Sequence, residues 1–335
     1  MRNYLPLLLG AVSCLGTLVL YLTTEHTTCY IKQAIRLQKL STPPQSWVRG
    51  NVQRVRDSLE SSTDFTNMWN ATDPYCTINS YYFPRLGVTY NGVPKVGCSN
   101  WLAGLINAEK EENIFPGFRG IYWVHQGWAT PYRVHKIIRN QTRWPVLEKM
   151  REGVSFSQVR NPWVRMVSGF RDKLSGERVA ESGFRPIGVD IVQQARGIGQ
   201  DEIIEQDLYP TFREFLESIV EDQEKNNLNY HFAPQFRSMG LEHINYTFIG
   251  SLELINEQFH EVEILTRANL SIPGSYDAST DPRLEKSTIL AKQWFSEINA
   301  QLVNRLYAMF KLDFMLYNYS NFTHRDFPMP LYYQA

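Results

Sequence analysis

The stretch "VPKVGCSNW", residues 93 to 101, connects a strand-like run to a helix-like one. The run before it, "RLGVTYNGV" (85 to 93), is typical of a strand, and Ser99 to Glu111 has the apolar spacing of a helix. In an open parallel sheet, such a turn lies at the carboxyl edge, where loop amides and helix N-termini bind anions. The stretch therefore predicts an α/β fold that carries a candidate anion site.

The residue types of this turn suit an anion. Pro94 fixes the backbone, and Gly97 permits a tight turn that could direct the amides of Cys98 to Asn100 at a ligand. Lys95 adds a positive charge, and Ser99 adds a hydroxyl and an N-cap. The pattern G-x-x-x-x-G-K-[ST] of many ATPases is absent. Taken alone, the stretch is either a phosphate site or a turn that carries a solvated lysine.

Strand and helix patterns alternate along the chain from about Tyr81. Further strands are predicted at 120–125, 153–160 and 244–250. Helices are predicted at 99–111, 162–174, 211–222, 252–269 and 292–310. Such alternation is typical of a central, mainly parallel sheet flanked by helices.

A second strand-to-helix turn lies in "SFSQVRNPWVRMVSGFRDKL", residues 155 to 174. Arg160 ends the predicted strand, Pro162 suits the first turn of the helix, and Ser168 follows about two turns along it. The guanidinium and the hydroxyl could converge on one phosphate. The alternative is an arginine that caps a carbonyl and a serine that packs on the sheet. The two turns together favour a nucleotide site.

The first 22 residues differ from the rest of the chain, which has 34 acidic and 34 basic residues in all. Residues 5 to 22 carry no charge, and these 18 residues are about the minimum for a membrane span. A cleaved signal peptide is the alternative, although its apolar core is usually shorter. The flanking charges favour a cytosolic N-terminus and a lumenal remainder. The neutral charge balance gives no reason to expect a nucleic-acid partner.

Asn-x-Ser/Thr sites support a secretory compartment, and they occur at Asn70, Asn140, Asn245, Asn269, Asn318 and Asn321. Of the four cysteines, Cys29 and Cys76 are the pair that could form a structural disulfide or link two chains. The spacings predict no metal site. The sequence is compatible with a homodimer and does not determine the oligomeric state.

The two turns together resemble the nucleotide-binding signatures of the Golgi carbohydrate sulfotransferases, in the branch that includes chondroitin 4-O-sulfotransferases. Three further segments are similar to that branch in the same order: "HFAPQ" (231 to 235), "NYTFIGSLELINEQ" (245 to 258) and "RLYAMFKLDFMLYNY" (305 to 319). The resemblance covers roughly residues 81 to 319. It implies a P-loop-like sulfotransferase fold behind a type II membrane anchor.

The resemblance implies 3′-phosphoadenosine-5′-phosphosulfate as the donor and requires no metal. The 5′-phosphosulfate would lie on the turn formed by Pro94, Lys95, Val96, Gly97, Cys98, Ser99, Asn100 and Trp101. Lys95 would contact the bridging oxygen, and Trp101 would lie near the adenine or pack beneath the loop. Arg160 and Ser168 would bind the 3′-phosphate.

A sugar hydroxyl that attacks sulfur needs a base whose pKa lies near the working pH, which favours histidine. His125 is the first candidate, because it ends the predicted strand 120–125 on the edge that holds Lys95. His231 is the second candidate, and a purely structural histidine is the alternative for each. Candidates for contact with an anionic glycan, or else for surface ion pairs, are Arg165, Arg171 and Lys173.

Several positions depart from the family pattern. Asn91 stands where the family usually has cysteine, and residues 236 to 243 lack a close cysteine pair, which implies altered disulfide bridging. Asn161 stands where the family has an acidic residue or histidine. Leu102 stands where the family has a basic residue, which puts donor or acceptor binding in question.

The sequence therefore predicts a single-pass Golgi membrane enzyme that transfers sulfate to a hydroxyl of a glycan. By resemblance, the acceptor is chondroitin, dermatan or another GalNAc-containing chain. The alternative is a catalytically silent lumenal glycan-binding protein that keeps the fold. The predicted order is a cytosolic tail (1–4), an anchor (5–22), a stem (23–80), a catalytic domain (81–320) and a C-terminal tail (321–335).

Overall fold

The structure of the protein is a computed structural model. It describes residue 57 and residues 79 to 319, apart from 116–123, 135, 138–147, 151, 176–182, 226, 240, 242–243, 245, 269 and 271–281. Four strands, β1 (Ser80–Phe83), β2 (Val88–Asn91), β3 (Val154–Val159) and β4 (Phe248–Ser251), form one sheet in the order β1-β2-β3-β4.

Strands β2, β3 and β4 are parallel, and β1 pairs with β2 in antiparallel register. One row of aromatic side chains crosses the sheet, because Tyr81 pairs with Tyr90, Tyr90 with Phe156, and Phe156 with Phe248. Nearly every strand residue is buried, as expected for a sheet covered by helices on both faces. The predicted α/β class and mainly parallel sheet are confirmed, with one antiparallel strand added at an edge.

The start of the sheet differs from the prediction. The predicted strand at 85–93 is wrong for residues 85 to 87, which belong to the turn between β1 and β2, and for residues 92 and 93, which follow the end of β2. Gly87 has a φ of 63°, a left-handed conformation that glycine adopts readily, and it ends the turn just before β2. The sequence does not predict β1, because four residues are too few for an alternating pattern.

The helices with described bounds are α1 (Cys98–Lys110), α2 (Pro162–Lys173), α3 (Arg185–Arg196), α4 (Gln200–Glu205), α5 (Phe212–Glu224), α6 (Gln235–Met239), α7 (Ile255–Thr266), α8 (Pro282–Ser296) and α9 (Ala300–Leu316). A π-helical turn covers Val124–Trp128, and 3₁₀ turns cover Thr130–Tyr132 and Leu252–Leu254. The predicted helices at 99–111, 162–174, 211–222 and 252–269 correspond to α1, α2, α5 and α7.

Two further predictions differ from the structure. Residues 124 and 125, the end of the predicted strand 120–125, belong to the π-helical turn, and residues 120 to 123 lie outside the described residues. The predicted helix 292–310 is split between α8 and α9. The split occurs because the Asn299 side chain accepts a hydrogen bond from the Leu302 amide (2.9 Å) and caps a new helix.

The hydrophobic core lies on both faces of the sheet. On one face, Trp101 of α1 packs edge-on against Phe156, with ring centroids 5.2 Å apart. On the other face, Trp163 of α2 packs against Phe295 and Phe314 at 4.9 and 5.1 Å. Helices α1 and α2 are thus fixed on opposite faces, and because they follow neighbouring parallel strands, their N-termini meet at one edge of the sheet.

The predicted anchor, most of the predicted stem and the predicted C-terminal tail lie outside the described residues. In the part of the chain that the structure describes, no helix has both the length and the apolar character that a membrane crossing requires. Cys29, Cys76 and five of the six predicted glycosylation sites are likewise outside it. The sixth, Asn318, is half-buried just after α9.

Candidate functional site

The turn after β2 has a strained backbone. Lys95 has a φ of 70° and Gly97 a φ of 80°, so both lie in the left-handed region. For a lysine this conformation costs about 1–2 kcal/mol, and such strain persists where surrounding contacts impose it. Helix α1 begins at Cys98 with Gly97 as its N-cap, so its N-terminal amides lie at the turn and the predicted N-cap at Ser99 is wrong.

The Lys95 side chain runs along α2. A Cβ atom added at Gly169 would lie 3.8 Å from Lys95 Cγ, so the lysine stem passes within van der Waals reach of this helix position. The ammonium lies 2.9 Å from Asp172 Oδ2, and Lys173 Nζ lies 3.2 Å from the same oxygen. Burial lowers the pKa of Lys95, and the Asp172 carboxylate opposes that effect. A buried cation is thus held at the strand end.

Arg165 joins three loop carbonyls. Its side chain is fully buried and donates to the carbonyls of Pro94 (2.8 Å), Ala233 (2.8 Å) and His231 (3.1 Å). Burial lowers its pKa to about 10, which keeps it charged at neutral pH. The expectation that Arg165 contacts a glycan or a surface partner is wrong, because its donors are used inside the protein. Its role is to hold the Lys95 turn against the segment 231–233.

Arg160 follows β3, and its backbone is fixed by Gln235. Its amide donates to Gln235 Oε1 and its carbonyl accepts from Gln235 Nε2, both at 2.8 Å. Gln235 is held in turn, because its own amide donates to Asp313 Oδ2 (2.7 Å), and burial raises the pKa of Asp313 to about 6. Arg160 Nη1 donates to the Lys95 carbonyl (3.4 Å), so the two predicted turns are in contact.

Asn161 caps α2. Its side-chain oxygen accepts hydrogen bonds from the amides of Trp163 (3.0 Å) and Val164 (3.3 Å). Its own amide donates to Glu253 Oε1 (2.8 Å), and Tyr319 donates its hydroxyl to the other oxygen of Glu253 (2.9 Å). The departure from the family at this position therefore serves the start of a helix.

Ser168 is half-buried on α2. Arg165, Ser168 and Asp172 are three and four residues apart, so they share one face of the helix. Arg165 and Asp172 both contact the Lys95 turn. Ser168 therefore lies on the face of α2 that is turned toward Lys95, and its convergence with Arg160 on one phosphate stays a prediction.

The His125 ring contacts the same turn. Its Nε2 atom lies 2.9 Å from Ser99 Oγ. Burial, together with the nearby charges of Arg133, Lys173 and Lys95, lowers the pKa of His125 to about 4. The imidazole is therefore neutral near pH 7, but its pKa lies well below the working pH, which differs from the expectation for a general base. His125 lies beside Lys95 as predicted, on a π-helical turn rather than on a strand.

His231 lies in the segment that Arg165 holds. Its Nδ1 atom is 3.1 Å from Asn229 Oδ1, and its ring packs edge-on against Phe184 with centroids 5.0 Å apart. Burial lowers its pKa to about 3, aided by Lys173 and Lys95. Both candidate histidines are thus within electrostatic reach of the same two lysines.

Trp101 and Leu102 are fully buried in the core. Of the two predicted positions for Trp101, packing beneath the loop is the one found, against Tyr90 and Phe156. Leu102 belongs to the same core cluster, and the effect of a missing cation at this position on donor or acceptor binding stays a prediction.

Asn91 ties two segments together at the end of β2. Its side-chain amide donates to the Ser238 carbonyl (2.9 Å) and to Ser80 Oγ (3.1 Å). Ser238 belongs to residues 236 to 243, so the two places where the chain departs from the family's cysteine pattern are in contact. A buried hydrogen bond joins them.

The sequence analysis does not single out Arg133. Its guanidinium carbon lies 5.6 Å from the ring centroid of Tyr81, with which it forms an isolated β-bridge. Its charge affects the pKa of His125 and of Tyr230. No motif could have indicated it, because its position depends on a single backbone pairing to β1.

The other two basic candidates have different surroundings. Lys173 Nζ lies 5.1 Å from the ring centroid of Phe184, near the two histidines. Arg171 donates to Ser287 Oγ (3.1 Å) on α8. Lys173 therefore remains a candidate for ligand contact, whereas Arg171 joins two helices.

The site combines a cation, a hydroxyl and a neutral imidazole at a helix N-terminus. Such an arrangement can stabilise a phosphate-like anion and accept a proton from a nearby hydroxyl. Among the described residues, no group of histidine, cysteine, aspartate and glutamate is placed to bind a metal ion.

Comparison with known proteins relates this site to one family. A family model described as the sulfotransferase family matches residues 79 to 320. Human carbohydrate sulfotransferase 8 is 28% identical over 290 residues, which cover 82% of this chain and 64% of that protein. Carbohydrate sulfotransferase 12 of Xenopus laevis is 26% identical over 258 residues, 70% of this chain and 58% of that protein. No solved structure matches at a significant level.

Carbohydrate sulfotransferase 11 of Rattus norvegicus is 26% identical over 239 residues, 69% of this chain and 64% of that protein. The chain thus spans less than two thirds of the length of these curated relatives. The family model begins just before β1 and ends just after α9, and so includes both turns and both histidines. Because it covers most of the chain, the protein belongs to the sulfotransferase family.

Proposed function

We propose that the protein transfers sulfate from 3′-phosphoadenosine-5′-phosphosulfate to a hydroxyl of a glycan. The observation that carries the proposal is the contact between His125 Nε2 and Ser99 Oγ (2.9 Å) at the turn that holds Lys95. A proton acceptor and a cation thus lie at the N-terminus of one helix. Family membership and the names of the relatives support the same activity.

The turn after β2 suits the phosphosulfate end of the donor. Amides and the dipole at the N-terminus of α1 favour an anion, and Lys95 adds a full charge. The turn after β3 suits the 3′-phosphate, with the guanidinium of Arg160 and the hydroxyl of Ser168. Two such turns on neighbouring strands match a nucleotide that carries phosphate at both ends of its ribose.

In the proposed step, the acceptor oxygen forms a bond to sulfur while the bond from sulfur to the bridging oxygen breaks. The electron pair stays on the bridging oxygen, where Lys95 and the α1 amides stabilise the new charge. His125 Nε2 takes the proton of the acceptor hydroxyl, with His231 as the second candidate. The products are a sulfate ester and the nucleoside 3′,5′-bisphosphate.

We place the acceptor among anionic, GalNAc-containing chains such as chondroitin or dermatan. Arg133 and Lys173 approach His125 from two different elements, and cations there would pair with carboxylates that flank the reacting sugar. The Golgi lumen is the proposed compartment, with residues 5 to 22 as the anchor, on the strength of the uncharged segment and the glycosylation sites.

The test uses the full chain, solubilised in detergent, with donor that carries labelled sulfate. The acceptors are chondroitin, desulfated dermatan, a glycoprotein with terminal GalNAc, and a chain that lacks GalNAc as the control. We expect label on a GalNAc-containing acceptor and none on the control.

Binding of the nucleoside 3′,5′-bisphosphate is measured in parallel by calorimetry. Nucleotide binding without transfer to any acceptor would contradict the proposed reaction and support the silent glycan-binding alternative. Absence of both binding and transfer would contradict the nucleotide site itself.

A further inference from the structure

Asp172 lies in the last turn of α2 and contacts two lysines. Its Oδ2 atom is 2.9 Å from Lys95 Nζ and 3.2 Å from Lys173 Nζ. The three side chains are only 18%, 27% and 21% exposed for Lys95, Asp172 and Lys173, so solvent screens the pair less than it would on an open surface. One carboxylate oxygen thus anchors an ammonium that comes from another element of the fold.

The carboxylate keeps its charge in this position. Burial alone would raise the pKa of Asp172, but Lys95 and Lys173 together hold that pKa below its ordinary value. For Lys95, burial lowers the pKa and so favours the neutral form, whereas the Asp172 carboxylate favours the charged form. Asp172 therefore helps to keep Lys95 an ammonium.

Helix α2 holds the Lys95 turn at two points. Arg165 binds the Pro94 carbonyl and so fixes the backbone beside the lysine. Asp172, seven residues further along the same face, binds the head of the lysine side chain. Gly169 lies between them, where the stem of Lys95 passes. A lysine has four flexible side-chain bonds, so without the second point its ammonium would sample several directions.

We propose that Asp172 is a positioning residue for Lys95, whose ammonium it holds toward the transferred group of an anionic donor. The inference rests on the proposed function. A carboxylate beside the donor also repels it, so Asp172 improves the orientation of Lys95 at the expense of donor affinity. Asp172 should therefore raise turnover but weaken donor binding. A merely structural role would not change the two quantities in opposite directions.

The test compares Asp172→Asn with the unaltered full chain. Asparagine keeps the size of the side chain and an acceptor oxygen but loses the charge. We expect kcat to fall about 10-fold, because misplacement of a catalytic group is costly, while KM for the donor stays unchanged or falls. Asp172→Glu, which restores the charge, should recover part of the kcat. A matched control is Glu217→Gln, an exposed acid paired with Arg213 on α5.

A double-variant cycle asks whether Asp172 acts through Lys95. In a Lys95→Ala background, Asp172→Asn should have no further effect on kcat, because the group that it positions is gone. An equal loss of kcat in both backgrounds would overturn the proposal. So would a rise in KM for the donor or the acceptor at unchanged kcat, which would indicate direct contact with a substrate.

A readout independent of sulfate transfer separates this inference from the proposed function. Acetylation of individual lysines in the folded protein at pH 8 is followed by peptide mass spectrometry. Loss of the carboxylate favours neutral Lys95, so Asp172→Asn should speed its acetylation several-fold. The exposed Lys225 serves as the internal control and should not change. Equal acetylation of Lys95 in both proteins would overturn the inference, even if transfer were never detected.

Discussion

The turn after β2 and the turn after β3 occupy equivalent places at neighbouring strand ends, but they are held differently. In the β3 turn it is the main chain that is held, because the side chains of Gln235 and Glu253 form hydrogen bonds with the backbone of Arg160 and Asn161. The β2 turn adopts left-handed conformations at Lys95 and Gly97 and is held from outside by α2.

The difference indicates a division of roles between the turns. In the β3 turn, the backbone groups of Arg160 and Asn161 are hydrogen-bonded and the arginine is buried. This rigid arrangement suits a binding site for the 3′-phosphate. The β2 turn has a strained backbone and an ion-paired lysine, and a histidine from a separate element lies beside it. These features suit groups that stabilise developing charge or accept a proton during the reaction. Substitutions in the β2 turn should therefore lower turnover, and substitutions in the β3 turn should weaken donor binding.

The largest effect is expected for Lys95→Ala. Loss of a cation aimed at the developing charge should lower kcat about 10³-fold, while affinity for the nucleoside bisphosphate product changes much less. Labelled-sulfate transfer and calorimetry measure the two quantities. Lys225→Ala, at an exposed lysine just after α5, controls for the general loss of a positive charge. A kcat close to that of the unaltered protein would remove Lys95 from the mechanism.

The next largest effect separates the two histidines. His125→Ala should lower kcat about 10²-fold through loss of the base, and His231→Ala should lower it far less. The control is His260→Ala, at a half-exposed histidine of α7. The reverse order of effects would assign the proton transfer to His231 and contradict our choice.

A smaller effect, of a different kind, is expected at the β3 turn. Arg160→Ala should raise KM for the donor about 10-fold, since a charge-assisted hydrogen bond contributes roughly 1.5–3 kcal/mol, with kcat less affected. Arg213→Ala, at an exposed arginine, is the control. If Arg160→Ala instead lowered kcat at an unchanged KM, the two turns would not divide binding and chemistry as proposed.

The smallest effect concerns pH. A base is active when deprotonated, so with a His125 pKa of about 4, kcat/KM should fall only as the pH approaches about 4 and should vary little between pH 7 and 5.5. An acidic limb near pH 6.5 would contradict a buried, neutral base.

Unfolding must be monitored in the same titration. Both histidines have lowered pKa values, so the unfolded chain binds more protons than the folded one below about pH 6.5. The histidines therefore make the free energy of unfolding fall as the pH decreases from 6.5 toward 4, and Asp313, whose pKa is raised to about 6, offsets part of that fall. Circular dichroism at each pH distinguishes loss of the fold from protonation of the base.

The parts of the fold that were predictable carry local signals. Pro162 indicates the start of α2, and the run after Gly153 indicates β3, so this region is predicted almost residue by residue. The split between α8 and α9 was missed because Asn299 was read as part of one continuous helix. The β1–β2 hairpin was missed because its strands are short.

The sequence indicated candidate site residues only where charged or hydroxyl side chains directly follow a predicted strand. Lys95, Ser99, Arg160 and Ser168 follow strand ends, and the structure brings them to one edge. The expectation for Arg165 was wrong because residue type does not reveal which face of a helix is buried. The contacts of Asp172 and Arg133 join residues far apart in the sequence, and one chain read alone gives no signal for them.

Gly169 limits which substitutions can stabilise helix α2. Glycine inside a helix costs about 1 kcal/mol relative to alanine, and replacement by alanine is ordinarily a simple route to a more stable helix. Here a methyl group would lie 3.0 Å from the Phe232 ring and 3.8 Å from the lysine stem. That route to a more stable α2 would force the Phe232 ring to shift, and Phe232 follows His231 in the segment that Arg165 holds, so stability is more easily gained elsewhere.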